Sequence, residues 1–436
     1  MQGEFRGDFS RNSFDPHKHF SRVLMQQGRV QLDADWNEQA AIIMHYLRTL
    51  AADLIGPHAG QGFVITPVAE NDTGFTIGVG HYYVDGILCE NENELSYYNQ
   101  EDYPIKKDTH KLEFPILVYL NVWERHISYI EDNTIREIAL NGVDTATRAK
   151  IVWQVKTEKL ESATSCDEIK PAWGELVEKW QPKNRGMLKA RVHKKVDTNT
   201  NNCMIHPDAR YHGVENQLYR VEIHKGGKAD GEATFKWSRE NSSIAFRLLK
   251  QNGNNLTLSS TGRDSITGIS CGQWIELTDD THELLGKPGT LVKVVKVEGN
   301  VLTIDSSINL SDFPRNPKVR RWDYQGKKDT TQKTAELLPL SDDNALSIVE
   351  GEGDQRWLTL ENGIQIQFQP GATYRTGDYW LIPARTATGD ILWKQNLHGE
   401  PAALSPHGIE YHYAPLAIVV SSERHSSCRQ ELRLMR

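Results

Sequence analysis

The side chains best suited to chemistry are few and scattered. His206, Asp208, His212 and His224 are all of metal-ligating type. Their spacing follows no coordination pattern, so turn packing or exposure accounts for them as readily as a metal does. Asp33 and Asp35 would share a face in extended chain and diverge in a helix, where capping is the simpler role. Asp354, Glu361 and Asp378 lie in one region and supply the carboxylates that glycoside hydrolysis needs, provided that folding opposes two of them across a groove. Glu222 and His224 fall on one strand face, within reach of a local hydrogen bond. The chain has no phosphate-cradling loop motif, no dinucleotide glycine pattern, no HExxH and no serine elbow. The strongest motif-level grounds for catalysis are therefore missing. On this reading the sequence assigns no catalytic residue, no metal and no cofactor.

Two aromatic–polar clusters are candidate binding residues. Trp237, Arg239 and Glu240 end one strand candidate, and Tyr374, Arg375 and Trp380 flank Asp378 in another. A ring stacked on a sugar, with Arg or Glu making directional bonds, would recognise a glycan or a protein surface. The competing account is a core tryptophan beside a charged turn, with Arg375 and Asp378 bracing a bend. A third set, Phe9, Phe14, Phe20, Trp36, Leu47 and Leu54, belongs to the N-terminal segment and is the candidate for assembly contacts. Its phenylalanines either anchor an arm on another surface or pack this chain's own first layer, and Arg11, Asp15 and Asp33 are placed to pair there.

The elements that must position these residues begin with a helix expected near Asp35. Asp35 and Glu38 have capping-box spacing. Ala40, Ile43, Met44, Leu47, Leu50, Ala51 and Leu54 recur at helical intervals until Gly56 and Pro57 stop the run. Such a helix needs a partner surface, either a sheet of its own chain or helices of neighbouring subunits. It shows no sustained heptad that by itself argues for three strands. From Gly60 the pattern changes to short alternating runs separated by turn residues. Asp85-Gly86, Gly299-Asn300 and Asn362-Gly363 are hairpin signals. The expected fold is mainly β, with sandwich- or barrel-like units behind an N-terminal amphipathic helix. Its divisions are residues 1–60 for attachment or oligomerisation, 61–160 for a first β domain, and 161–205 for a polar insertion with a short helix near Glu175–Trp180. Residues 206–312 form a second β-rich unit, 313–340 a linker or exposed loop, and 341–436 a C-terminal β region.

At 436 residues, with 38% hydrophobic and 25% charged side chains and eleven tryptophans, the chain has material for two to four cores and is not dominated by disorder. A net charge of −8 gives no general footprint for nucleic acid. Neither a signal peptide nor a long apolar run occurs, which predicts synthesis and folding in the cytoplasm without a transmembrane helix. The five cysteines, Cys89, Cys166, Cys203, Cys271 and Cys428, are far apart. Their spacing predicts reduced, mostly buried thiols rather than a disulfide framework.

GDFSRNSFDPHKHFSRVLMQQGRVQLDADWNEQ, YYVDGILCE, VYLNVWERH, LYRVEIHKGG, FKWSRENSSI and YRTGDYWLIPARTATGDILW together resemble a family of uncharacterised bacterial proteins. That family is associated with phage-tail-like contractile injection systems and baseplate loci. The resemblance spans most of the chain and is weakest around 155–200 and in the C-terminal tail. It carries over no catalytic residues. It implies a structural or accessory particle component, baseplate-peripheral or fibre-like, whose partners are other particle proteins and further copies of itself. A trimer follows by analogy with fibres. The particle would be extracellular or cell-associated, and the alternative is a glycan-binding module or carbohydrate-active enzyme that it carries to a cell-surface glycan.

Overall fold

A computed structural model describes residues 3–68, 74–108, 110–162, 165–193, 210–229, 231–264, 266–327, 338–421 and 424–432. In chain order the elements used below are α1 (Asp33–Ile55), β1 (Ile116–Ile127), β2 (Arg148–Lys159), α2 (Trp173–Trp180), β3 (Gln217–Lys225), β4 (Thr234–Ser238), β5 (Ala245–Asn252), β6 (Asn255–Leu258) and β7 (Trp274–Thr278). They continue with α3 (Asp280–Leu284), β8 (Thr290–Glu298), β9 (Val301–Ile304), β10 (Lys318–Trp322), β11 (Tyr379–Arg385) and β12 (His412–Val419). The fold is mainly β with one long N-terminal helix, as the alternation and turn chemistry require. Among the described residues no helix is long and apolar enough to cross a membrane.

Among the described residues three cores are the largest, and the first two draw on distant sequence. In the first, β1 sits between β2 and β12, with His425–Ser427 at the far edge. Val118, Leu120 and Val122 on one face of β1 join Phe63, Phe75, Tyr82 and Leu416 in a dry core. The opposite face presents Tyr119, Asn121, Trp123 and Arg125, because successive side chains of a strand point to opposite sides. In the second, β4, β3 and β11 make the centre of a five-stranded sheet. Its apolar face packs Tyr219, Val221, Phe235 and Trp237 against Ile366, Phe368 and Trp380. The third is a closed six-stranded barrel in the order β5-β6-β9-β8-β7-β10. Leu248, Leu256, Ile275, Leu277, Val292, Val294 and Val319 fill it, as expected of a barrel this narrow.

The hairpin signals hold. Asp85 and Gly86 both have positive φ, and Val84 pairs with Ile87 across them. A Cβ on Gly86 would strike the Arg48 carbonyl of α1, so this glycine serves both the turn and the seating of the helix. Gly299 turns Glu298 onto Val301, and Asn362-Gly363 turns Thr359 onto Gln365.

The expected boundaries are crossed in several places. Lys318–Trp322, placed in a linker by its charges, is a buried barrel strand paired with β5 and β7. The polar insertion contains α2, and its Leu188–Val192 is a core strand paired with Ile364–Phe368. β12, from the C-terminal region, pairs along most of β1. The first sixty residues do not stand apart, since Glu4 bridges to Arg125. The cysteine expectation is overturned as well. Cys166 and Cys428 form a disulfide with their Cα atoms 5.3 Å apart, across 262 residues of chain. Separation along the sequence carried no information about that proximity. Cys89 is free and buried and Cys271 free and exposed, while Cys203 lies outside the described residues.

Helix α1 starts at Asp33, two residues before the expected cap. Asp35 accepts the Leu32 N–H at 3.3 Å and Asp33 accepts the Ser10 N–H at 2.9 Å. Both carboxylates thus lie in the first turn, where the helix dipole favours them. Glu38, expected to close a capping box, instead accepts the Ser13 hydroxyl at 2.6 Å.

Candidate functional site

The units meet on their charged faces. On β3 the side chains of Tyr219, Val221 and Ile223 enter the sheet core, which turns Arg220, Glu222 and His224 the other way. On β4 the same alternation turns Lys236 out, and on β7 and β10 it turns out Glu276, Lys318 and Arg320 while Ile275, Leu277 and Val319 line the barrel. Joining sheet to barrel therefore buries ions, and they are arranged in two balanced groups.

In the first group, Arg6 reaches Glu222 at 3.1 Å and Glu4 at 2.5 Å, and Arg220 reaches Glu4 at 2.7 Å and Glu222 at 2.6 Å. Lys236 bridges Glu276 at 2.6 Å and Glu222 at 3.4 Å. Three carboxylates thus face three cations, and two of the six come from the N-terminal arm. Burial pushes the Glu276 carboxyl up, but Lys236 and His224 outweigh it and hold it at about 2. Burial first, then Lys236, brings His224 down to about 4, so it is neutral at physiological pH.

The second group contains Glu131, Asp280 and Glu283, whose ligand atoms lie within 4.8 Å of one another. A cation site could be read from that geometry, but its charge is already matched. Arg125 donates to Asp280 at 2.6 Å and Glu283 at 2.8 Å, and Lys318 contacts Glu131 and lies 2.8 Å from Glu283. Arg320 is 3.7 Å from Glu283. Lys318 is 1% exposed and occupies the place a metal would take.

Between these groups and the outer face of β1 lies a cavity of about 750 Å³. Its other end is aromatic. Tyr119 stacks on Trp180 of α2 at 4.0 Å, Trp180 meets Tyr413 at 5.2 Å, and Trp123 meets Tyr411 at 5.3 Å. Asn121 sits among them.

The predicted binding residues are mostly structural. Trp237, Tyr374 and Trp380 are at most 4% exposed and lie in the second core, where no external ligand can stack on them. Arg239 grips Glu361 with two bonds of 2.6 Å, and Tyr219 donates to the same carboxylate at 2.9 Å. Glu240 accepts from Arg321 at 2.7 Å, and burial lifts its carboxyl to about 7. Arg375 and Arg185 both hold Asp378, and of the predicted set only Tyr374 and Arg375 line the cavity. The three candidate hydrolytic carboxylates are separated among arginines: Glu361 on Arg239, Asp378 on Arg185 and Arg375, Asp354 on Arg191. Of the histidine set, His224 belongs to the first ionic group, His212 is exposed near Gly363, and His206 and Asp208 lie outside the described residues. Glu222 and His224 do share a face, as the strand period requires.

The assembly residues divide differently. Residues 3–8 thread inward, and Asn241 donates to the Phe5 and Gly7 carbonyls at 3.1 and 2.9 Å. Farther along, Val23 N–H bonds Gln39 at 2.8 Å, Phe14 lies 5.9 Å from His45, and Asp15 pairs with Lys394. A groove of about 990 Å³ beside α1 gathers Phe9, Phe14 and Trp36 with Ala40 and Met44. Phe20, Leu47 and Leu54 stay outside it and are more than half exposed. Only Ala34 and Ile42 of α1 are buried. Sequence reasoning found this stripe but missed the ionic groups, whose bonded partners are up to 216 residues apart. The one signal was that KVRRW, TFKWS and QLYRVEIHK place charged residues among apolar ones in strand-like runs.

No curated protein and no solved structure matches the chain. Residues 5–198 and 185–432 both match the model of one family, so the chain belongs to the family of unknown function DUF6519.

Proposed function

We propose that the protein is a non-catalytic structural subunit of a phage-tail-like contractile injection particle, baseplate-peripheral or fibre-like, that assembles through α1. Its helix packs against α1 of further copies of the same chain. One observation carries this reading. Trp36, Ala40, Ile43, Leu47, Leu50 and Leu54 follow one another in steps of four and three residues and are all exposed. That is the a/d spacing of a coiled-coil seam. The run is too short to stand out in the sequence, and its exposure is what distinguishes it. The face that holds α1 to its own chain is a different one, marked by Ala34, Ile42 and the Arg48–Glu124 pair at 3.0 Å.

Self-association follows from the chemistry of the seam. Apart from Asp53, the positions flanking it are Asn37, Gln39, Met44, Tyr46 and Ala51. Asp53 aside, two copies therefore meet there without like charges, and nothing along the seam selects a charged partner. Trp36, Ile43, Met44, Tyr46, Leu47, Leu50 and Leu54 are 41–66% exposed. Together they leave a continuous apolar stripe open along the helix. Leu24, Met25 and Val30 of the arm are exposed as well. With every carboxylate of the ionic groups matched by a cation, the protein offers no free acid–base pair there to support the enzymatic alternative.

Sedimentation and light scattering of the full chain test the reading. A discrete oligomer is expected, and the L47E/L50E pair should reduce it to a folded monomer. A monomeric wild-type chain, or an oligomer indifferent to that pair, overturns self-association. Docking on the particle is tested separately by cryo-EM of natively purified material. Density that locks residues 1–60 into a tail-like particle supports it, and a free protein with no co-purifying particle overturns it.

A further inference from the structure

We infer that the aromatic end of the central cavity is a saccharide-binding site with Asn121 at its floor. Asn121 is 2% exposed and lines the cavity, yet its Oδ1 accepts no hydrogen bond. Buried carbonyl oxygens in folded proteins are almost always paired, so this one, enclosed beside the cavity, is free to take a donor from a ligand once its side chain turns toward that space. Arg375 lines the same space, and its Nη1 is a buried donor without an acceptor. Lys156 reaches the cavity from β2, where Tyr119 is its cross-strand neighbour. Burial alone, with no carboxylate acting on it, lowers its pKa to about 8. The Lys156 amine, which lies over the Tyr103 ring, the unpaired Nη1 of an Arg375 otherwise bound to Asp378, and the Asn121 amide thus border one volume.

The walls complete the match. Trp180, Tyr413 and Tyr411 succeed one another at centroid distances of 5.2 and 6.3 Å. A pyranose offers C–H faces to such rings and a rim of hydroxyls that both donate and accept, which suits Asn121 and Arg375 together. A purely apolar ligand would leave Asn121 unpaired. A phosphate-bearing ligand would need several uncompensated cations, but the cations at the far end are matched by the two ionic groups. The volume, about 750 Å³ overall, lies in the range of small-ligand sites.

Titration of the full-length protein, followed by tryptophan fluorescence, tests the site because Trp180 and Trp123 report from within it. The probes are glucose, N-acetylglucosamine, glucuronic acid and chitotriose, each taken into the millimolar range. At least one should give a saturable change, weakened on the order of tenfold or more in N121A. Y413A, at a half-buried position, should weaken it too and carries the test if N121A does not fold. Trp357, stacked on Arg191 at 4.0 Å, does not line the cavity, and W357A should bind as the wild type does. Tighter binding of chitotriose than of N-acetylglucosamine would identify a polymeric glycan as the source, and equal binding a free sugar. If no probe gives a saturable change, or if Y413A and every folded form of N121A bind as the wild type does, the inference fails.

Discussion

Residues 3–8 and residues 33–55 belong to one N-terminal segment, yet they bury opposite kinds of side chain. Glu4 and Arg6 run inward to Arg220 and Glu222, while Ile43, Leu47, Leu50 and Leu54 face outward. Burying ions is costly unless each finds its partner, and the arm supplies one carboxylate and one guanidinium, so it adds no net charge to the group it enters. The arm is therefore a fastener whose chemistry is complete within the chain. The helix is the reverse case. Its hydrocarbon face gains nothing until something covers it, and on the proposed reading a second copy of the chain does so. A buried charge here is matched within the chain, and an exposed leucine is not covered by it.

Breaking the balance should produce the largest effect. K318M would leave Glu131, Asp280 and Glu283, clustered within 4.8 Å, with only the arginines to oppose them. Removing one partner of a buried ionic group costs about 3–5 kcal/mol. Chemical denaturation should show that loss, and adding E131Q should recover part of it. A loss below about 1 kcal/mol would mean that water already reaches the group.

Acid probes the same balance without mutation. Glu276 and Glu131 are held at about 2 in the folded protein, below the ordinary 4.5 of a glutamate. A depressed carboxyl gives stability that is fully present above the unfolded pKa and lost as pH falls through the folded one. His224, His126 and His407 are lowered to about 4 from 6.5, chiefly by burial. The unfolded chain takes up those protons first, so stability should begin to fall below pH 6.5. It should fall more steeply between about 4.5 and 2, where the carboxylates titrate. A melting temperature flat from pH 7 to 4 would show that the histidines are solvated.

The disulfide comes next. Replacing Cys166 and Cys428 by serine should cost about 2–4 kcal/mol. Because β12 already pairs with β1 over most of its length, the loss should fall toward the lower figure. Hydrogen exchange should place it in the segment around His425–Ser427, with the barrel unaffected.

Local features were legible in the sequence and their partners were not. Asp85-Gly86 and Asn362-Gly363 declare hairpins because positive φ is a property of those residues themselves. The stripe on α1 is visible because helical period is local. By contrast, Lys318 and Arg320 read as a charged linker, because nothing within ten residues tells that strand it will close a barrel against β5 and meet Glu131 and Glu283. Trp237 and Trp380 read equally as ligand platforms or core, and only tertiary packing decides that they are core. Asn121 gives no sequence signal whatever. It is an ordinary residue in an alternating strand, made conspicuous by having no partner once β12 and α2 close over it.

The smallest effect on folding should come from the exposed face of the helix, and it divides the two faces of α1. Ile42 is 1% exposed and Leu50 is 57% exposed, though both are aliphatic residues of one helix. I42A should cost about 2–4 kcal/mol through lost burial and the cavity left behind. L50E should change the stability of the dissociated chain by no more than about 0.5 kcal/mol, as for other exposed positions. Measured in dilute solution, below the concentration at which copies associate, the two substitutions should therefore differ by at least a factor of ten in the unfolding equilibrium. At high concentration the order should change, because L50E then also forfeits the interface that the wild-type helix gains. If L50E is as damaging as I42A in the dilute monomer, the seam is part of this chain's own core and the contrast between arm and helix collapses. If it is silent at every concentration, the helix face meets no second copy.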